Sequence, residues 1–265
     1  MLQFRPVEPF YFGGDGIRRF GVYHPPRGAA GTAIVLCYPL GLEYIRAHRA
    51  FRNLALSLSR AGHAVLRFDY TGSGDSSGEE ADAGVSSWSR DLELAIEELK
   101  TRAGVPRVAL VGLRFGATLA ALAGARRDDV ERILLWDPVL RGEVYLDELR
   151  GIQARWMRDR LGIDADRLAS GDDELMGMPA RPPLLEELAR IDLRQIGGLR
   201  AGEVEIVVSS AREDCLEWQQ TLRDGGCQVR YFHVPTAGDW LDAQSLHQLL
   251  LPHEILKQIV ALLSE

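Results

Sequence analysis

The 265-residue chain has only three cysteines, Cys37, Cys215 and Cys227. They are too scattered for a disulfide framework and form no C-x-x-C pair, so a disulfide-built domain and a cysteine zinc site are excluded. Three buried, reduced thiols are expected. H-E-x-x-H, EF-hand spacing and any tight cluster of histidines with carboxylates are also missing, and no metal or cofactor is expected. Positive charge is scarce and spread out: 31 basic residues stand against 38 acidic ones, a formal net charge of −7. Without a basic block to meet phosphate backbones, nucleic acid is not an expected partner. No apolar run is long enough to span a bilayer. The opening "MLQFRPVEPFYFGG" lacks a basic region followed by an apolar one, so a soluble, cytoplasmic protein is expected. Internal repeats and low-complexity tracts are absent too.

What remains is a regular alternation. The segments "FYFGG" and "RRFGVYHPP" suggest an opening antiparallel pair, turned at Gly13, Gly14, Asp15 and Gly16. After them come the strand "TAIVLCYP" and an amphipathic helix from Ile45 to Arg60, with Phe51, Leu54, Leu58 and Ala61 near one face. The strand "HAVLRFDY", a helix from Trp88 to Lys100, the strand "RVALVGL", the helix "FGATLAALAGA" and the strand "RILLWDP" continue the order. The rhythm lapses from Arg141 to about Arg200, where "LDELRGIQARWMRDRLG" and the Pro-rich "MPARPPL" suggest a helical insertion. This insertion reads either as a lid or as a structural excursion covering apolar surface. The strand "EVEIVVSS", a helix from Glu213 to Arg223, the strand "VRYFHVP" and the helix "HEILKQIVALLSE" complete the chain. Alternating strands and helices predict an α/β fold, a mostly parallel eight-stranded sheet flanked by helices. The expected division is a core of residues 1–140 and 201–265 with a cap at 141–200.

Three segments carry chemistry. "FDYTGSGDSSG", Phe68 to Gly78, is a Gly-rich loop after a strand, in which Asp69 and Ser73 can satisfy backbone donors while Asp75 and Ser76 shape the turn. "LVGLRFGATLA" places Gly112 and Gly116 around a strand-to-helix turn of the form G-x-S-x-G, but Arg114 stands where the serine would be. "VVSSAREDCLEW" places Asp214 just past a late strand, with Glu213 beside it.

Together these segments resemble the α/β-hydrolases of the serine aminopeptidase and lysophospholipase type, over roughly Ala33 to Asp137 and Val204 to Leu263. "LCYPLG" stands where that family has a strand followed by His-Gly. The arginine elbow with "LLWDPV" is similar to a bacterial branch, the exosortase-associated hydrolase-like proteins. The resemblance implies a Ser-His-Asp triad, and Asp214 matches its acid. The histidine would fall in "TAGDWLDA", where Asp239 occupies its place. Arginine stays protonated and has no lone pair free for a carbonyl, so Arg114 cannot act as serine does. Arg114 and Asp239, with Asp214 nearby, are expected to form an ionic cluster, and Arg114 to anchor a ligand.

Pro39 lacks an N–H, but the amides of Leu40 and Phe115 remain as oxyanion donors. Leu40, Phe115, Tyr38 and Trp240 are the expected ligand contacts. Cys37, at the end of its strand, is either a small buried hydrophobe or an alternative nucleophile. Cys215 has no histidine placed to deprotonate it; Ser209 and Ser210 read as loop caps, and the six histidines as surface, packing or turn residues. The leading expectation is a protein that has lost Ser-His-Asp hydrolysis and binds or processes a small acyl or acidic metabolite in a capped pocket. The alternative is an active hydrolase or acyltransferase on an ester, thioester or amide, using an unconventional nucleophile such as Cys37. The expected partner is a small molecule, and a homodimer is left open.

Overall fold

Runs of Val, Ile, Leu and Ala bounded by glycine and proline form the central strands, β3 (Ala33–Cys37), β4 (Ala64–Phe68) and β5 (Val108–Leu113), in which every residue is buried. Burial on both faces belongs to a parallel sheet covered by helices. The structure, a computed structural model, describes residues 7–14, 16, 18–28, 31–162, 174–236 and 251–265. With β1 (Glu8–Phe12), β2 (Arg19–His24), β6 (Val130–Trp136), β9 (Glu203–Val208) and β10 (Gln228–His233), these strands form one eight-stranded sheet. Its order is β1-β2-β4-β3-β5-β6-β9-β10. β1 pairs antiparallel with β2 and β2 with β4; all other pairs are parallel. The expected sheet, including its antiparallel opening, is the one observed.

Helices α1 (Gly41–Arg60), α2 (Val85–Ala103), α3 (Phe115–Gly124), α6 (Glu213–Asp224) and α7 (His253–Leu263) flank it. Helix α1 starts four residues before the expected Ile45. Leu40 supplies no side-chain cap, but the Leu42 N–H donates to the Met176 carbonyl at 2.8 Å, satisfying one orphan donor of the first turn. Gly41 has φ +53°, and a Cβ there would lie 2.4 Å from the Met176 oxygen.

Between β6 and β9 lie α4 (Gly142–Leu161), the hairpin strands β7 (Glu174–Leu175) and β8 (Met178–Pro179), and α5 (Pro182–Ala189). The hairpin is a departure from an all-helical reading. Its two turn residues, Met176 and Gly177, both have positive φ, as a two-residue type I′ turn requires. Gln153 on α4 holds it at both ends of β7, accepting from the Met176 N–H at 2.7 Å and donating to the Glu174 carbonyl at 3.1 Å.

Charged side chains brace the first half of the sheet. Asp91 on α2 is buried, pairs with Arg19 of β2 and accepts from both the amide and hydroxyl of Thr71 at 2.7 Å. The Gly-rich loop is tied in by Ser76, whose hydroxyl donates to the Asp69 carbonyl and accepts from the Phe20 amide. Ser76 therefore has the loop-shaping role expected of it.

On β4, buried Arg67 donates from Nε to His24 Nε2 at 3.1 Å and from Nη1 to the Tyr38 hydroxyl at 2.8 Å. A histidine that accepts from a guanidinium must be neutral, with its proton on Nδ1. Burial, then the charges of Arg67 and Arg52, lower the His24 pKa to about 4. Above pH 6.5 this has no effect on stability, since the ring is neutral folded or unfolded. Between about 6.5 and 4 the unfolded chain takes up a proton that the folded one refuses, so up to about 3 kcal/mol of stability is lost as pH falls. NMR titration of the histidine ring nitrogens should show His24 still neutral at pH 5; a midpoint near 6.5 would contradict the Arg67 arrangement.

Candidate active site

The turn between β5 and α3 is tight because its flanking residues have no side chain to accommodate. A Cβ on Gly116 would lie 2.2 Å from the Cys37 carbonyl oxygen and 2.3 Å from that of Tyr38, and one on Gly112 would lie 2.4 Å from the Gly116 oxygen. At its tip Arg114 has φ 53° and ψ −120°, a strained backbone for any residue with a Cβ. The Arg114 amide donates to the Trp136 carbonyl at 2.9 Å and its carbonyl accepts from Ala117, so the surrounding hydrogen bonds enforce the strain. The turn projects this one side chain above the C-terminal ends of the parallel strands, the place where ligands bind in such sheets.

Among the described residues, Arg114 pairs with two carboxylates that the sequence did not point to, and not with Asp214. Its Nε donates to Glu43 Oε1 at 2.7 Å and its Nη2 to Glu148 Oε2 at 2.6 Å. Glu43, in the first turn of α1, is 1% exposed, and its other oxygen accepts from the Tyr145 hydroxyl at 2.8 Å. Both oxygens accept, so Glu43 is a carboxylate here. Burial pushes its pKa up, against the pull of Arg114 and Tyr145. For Arg114 burial works downward, but Glu43 and Glu148 outweigh it and hold the guanidinium firmly charged. Tyr145 stacks on Phe115, with ring centroids 6.0 Å apart, and lies 5.5 Å from the guanidinium carbon of Arg114. Three elements therefore meet at the elbow: α1 through Glu43, α4 through Tyr145 and Glu148, and the turn itself.

A cavity of about 770 Å³ opens beside this cluster. Arg114 and Glu148 line it together with Asp137, Asp214, Ser209 and Ser210, and three further arginines, Arg141, Arg194 and Arg212, share its wall. Asp214 stands in the first turn of α6, as expected of the matching acid. Its partner is Arg212, not Arg114: Nε donates to Oδ1 at 3.0 Å and Nη2 to Oδ2 at 2.5 Å. Burial alone would raise the Asp214 pKa; this bidentate pair more than offsets it, and the net shift is downward. Asp137 follows β6 with φ 44° and accepts from the Ser209 amide at 2.7 Å, joining the ends of β6 and β9.

The remaining expected residues fall elsewhere. Tyr38, Leu40 and Phe115 are buried and do not line the cavity; Tyr38 stacks on Phe51 at 4.4 Å. Cys37 is wholly buried, does not line the cavity, and burial pushes its thiol far above the ordinary range. Cys215 is likewise buried and pushed up to about 12, chiefly by loss of solvent. Neither thiol is poised to ionise. Asp239 and Trp240 lie outside the described residues.

Glu43, Tyr145, Glu148 and Arg212 were missed in the sequence. For Glu43 a signal was present: with Ala47, Ala50 and Leu54 it continues the apolar stripe of α1 at helical spacing, and a carboxylate on such a stripe needs a buried partner.

Comparison with known proteins fits this fold. Residues 44–175 match the family described as "Serine aminopeptidase, S33". Among solved structures, Est1E from Butyrivibrio proteoclasticus with ferulic acid bound superposes with a TM-score of 0.68 at 16% identity, covering 96% of each chain. The chain has the α/β-hydrolase fold. The thioesterase domain from the curacin biosynthetic pathway (TM-score 0.63, 14% identity, covering 98% of this chain and all of that one) is also similar. So is the enol-lactonase from Burkholderia xenovorans LB400 (TM-score 0.62, 16% identity, 96% of this chain and all of that one). Two uncharacterised proteins from Mycobacterium tuberculosis strains are 32% identical over 123 residues, 45% of this chain and 41% of theirs. The chain spans less than half the length of these curated relatives. No helix among the described residues is long and apolar enough to cross a membrane.

Proposed function

We propose that this chain is an α/β-hydrolase-fold protein that no longer carries out Ser-His-Asp hydrolysis and uses its cavity, beneath a cap formed by residues 141–200, to bind or process a small acyl or acidic metabolite. One observation carries the reading: the side chain at the elbow is a guanidinium held by Glu43 and Glu148, in the position from which covalent attack would start. Arginine has no lone pair to offer a carbonyl, and its two carboxylate partners keep it protonated. Acyl chemistry is favoured as the ligand class by analogy with structural neighbours that include a thioesterase domain and an enol-lactonase. The arginine elbow with Trp136-Asp137 behind it supports kinship with the hydrolase-like branch named above. Nothing about Cys37 supports the alternative of a cysteine enzyme.

Short-chain aryl esters test the proposal. The expected result is hydrolysis no faster than the buffer rate for wild type, with esterase activity gained in the triple variant Arg114→Ser, Asp239→His, Glu43→Gln, which leaves no carboxylate at Glu43 to be stranded. Saturable ester turnover by the wild-type protein would overturn the reading.

A further inference from the structure

The arginines around the cavity differ in how their charge is already engaged. Arg114, 8% exposed, faces two carboxylates, so the Glu43–Arg114–Glu148 group carries one net negative charge and repels a ligand anion at the inner end. Arg141, Arg194 and Arg212 have side chains 44%, 43% and 24% exposed and lie further out on the same wall.

Of these, Arg141 approaches Glu143 only to 3.7 Å, beyond hydrogen-bond distance, so its guanidinium makes no hydrogen bond to a described residue. Arg194 is held by Asp192 through Nε (2.8 Å) and Nη2 (2.6 Å), which leaves Nη1 without an acceptor among the described residues. Asp192 and Glu143 are not part of the cavity wall. The backbone fixes this corner: Leu193 N–H donates to the Leu140 carbonyl at 2.8 Å, Gly142 N–H donates to that of Ile191 at 2.9 Å, and Arg141 bridges Asp192. Arg212 is held by Asp214, which itself lines the cavity, and by the Pro138 carbonyl at 2.6 Å, and each of its two Nη atoms keeps one N–H to donate. Arg141, Arg194 and Arg212 line one cavity.

We propose that the ligand's anionic group is held at the cavity mouth by Arg141, Arg194 and Arg212, and not at the elbow by Arg114. This deepens the function proposed above and rests on it. The ligand class follows from the rest of the wall. Val139, Val144 and Tyr145 offer apolar surface, and Glu148 and Asp137 disfavour a second negative charge further in. The fitting molecule is an amphipathic monoanion, a carboxylate or phosphate head on a short apolar chain whose far end is neutral or donates hydrogen bonds. Preorganised guanidinium groups recognise either head by the same charge-assisted bonds.

The test titrates hexanoate, hexyl phosphate and neutral hexan-1-ol into the whole chain by calorimetry. At least one of the two anions should bind and hexan-1-ol should not; whichever anion binds tighter identifies the head group. Arg141→Gln and Arg194→Gln, both at exposed side chains, should each weaken the anion about tenfold or more. Glu148→Gln frees a donor on Arg114 and should change affinity by less than about threefold. Binding that survives both arginine substitutions but tightens about tenfold in Glu148→Gln would move the anion to Arg114. That result overturns the inference and leaves the proposed function standing. Failure of both anions to bind the folded wild-type protein at millimolar concentration would overturn the inference alone, since the proposed function also admits a neutral acyl ligand.

Discussion

Replacing Arg114 by alanine should lower the unfolding free energy by about 3–5 kcal/mol, because among the described residues it leaves Glu43, a buried carboxylate, with only the Tyr145 hydroxyl as partner. The loss comes from an uncompensated charge, so removing that charge as well should restore most of it. Arg114→Met combined with Glu43→Gln is expected to be more stable than Arg114→Ala alone. Glu148 contributes far less: its side chain is 40% exposed, and Glu148→Gln should cost under about 1 kcal/mol. Arg114→Gly should be milder than Arg114→Ala, since glycine relieves the strain at φ 53°, ψ −120°. Urea unfolding of the four variants measures all of this. A loss below about 1 kcal/mol for Arg114→Ala would mean that the elbow arginine does not hold α1 and α4 together.

Gly116→Ala should be worse still. Its Cβ would sit 2.2 Å from the Cys37 carbonyl oxygen at the end of β3 and 2.3 Å from that of Tyr38 just past it, and backbone atoms there cannot step aside as the end of a flexible side chain can. Either α3 leaves its seat on the sheet or β3 breaks pairing with β5; we expect a loss above about 3 kcal/mol or insoluble protein. Gly197→Ala is the matched control, since a Cβ there meets nothing within 4 Å and should shift stability by no more than about 0.5 kcal/mol. Melting temperatures of the pair decide the point. Equal values would show that β3 does not press on the turn as closely as the geometry requires.

These two positions also mark what could be read from the sequence. The sheet was legible because its signal is local: β-branched runs such as "AIVLC" and "VALVGL" between turn residues, and small residues such as Gly116 and Ala117 where a helix must leave a strand sharply. Asp214 was legible for the same reason, since its place just past β9 follows from the chain order. The partners of Arg114 were not. Glu43 lies 71 residues away and Glu148 34 residues away in the chain, and which carboxylate meets a guanidinium depends on how α1 and α4 pack over the strand ends. Sequence order suggested Asp239, which lies outside the described residues, with Asp214 nearby; Asp214 is instead taken by its near neighbour Arg212. The hairpin at Met176-Gly177 was missed because two-residue strands leave almost no periodic trace, although its carbonyl caps α1 beside the elbow.

The central claim is that the elbow holds a fixed cation and starts no covalent chemistry. Intact-mass spectrometry after mixing with a fluorophosphonate and, separately, with an activated butyryl ester tests it most directly. The account predicts an unmodified mass with both reagents. A single stoichiometric adduct on a residue lining the cavity, formed by the folded protein and absent after denaturation, would contradict it.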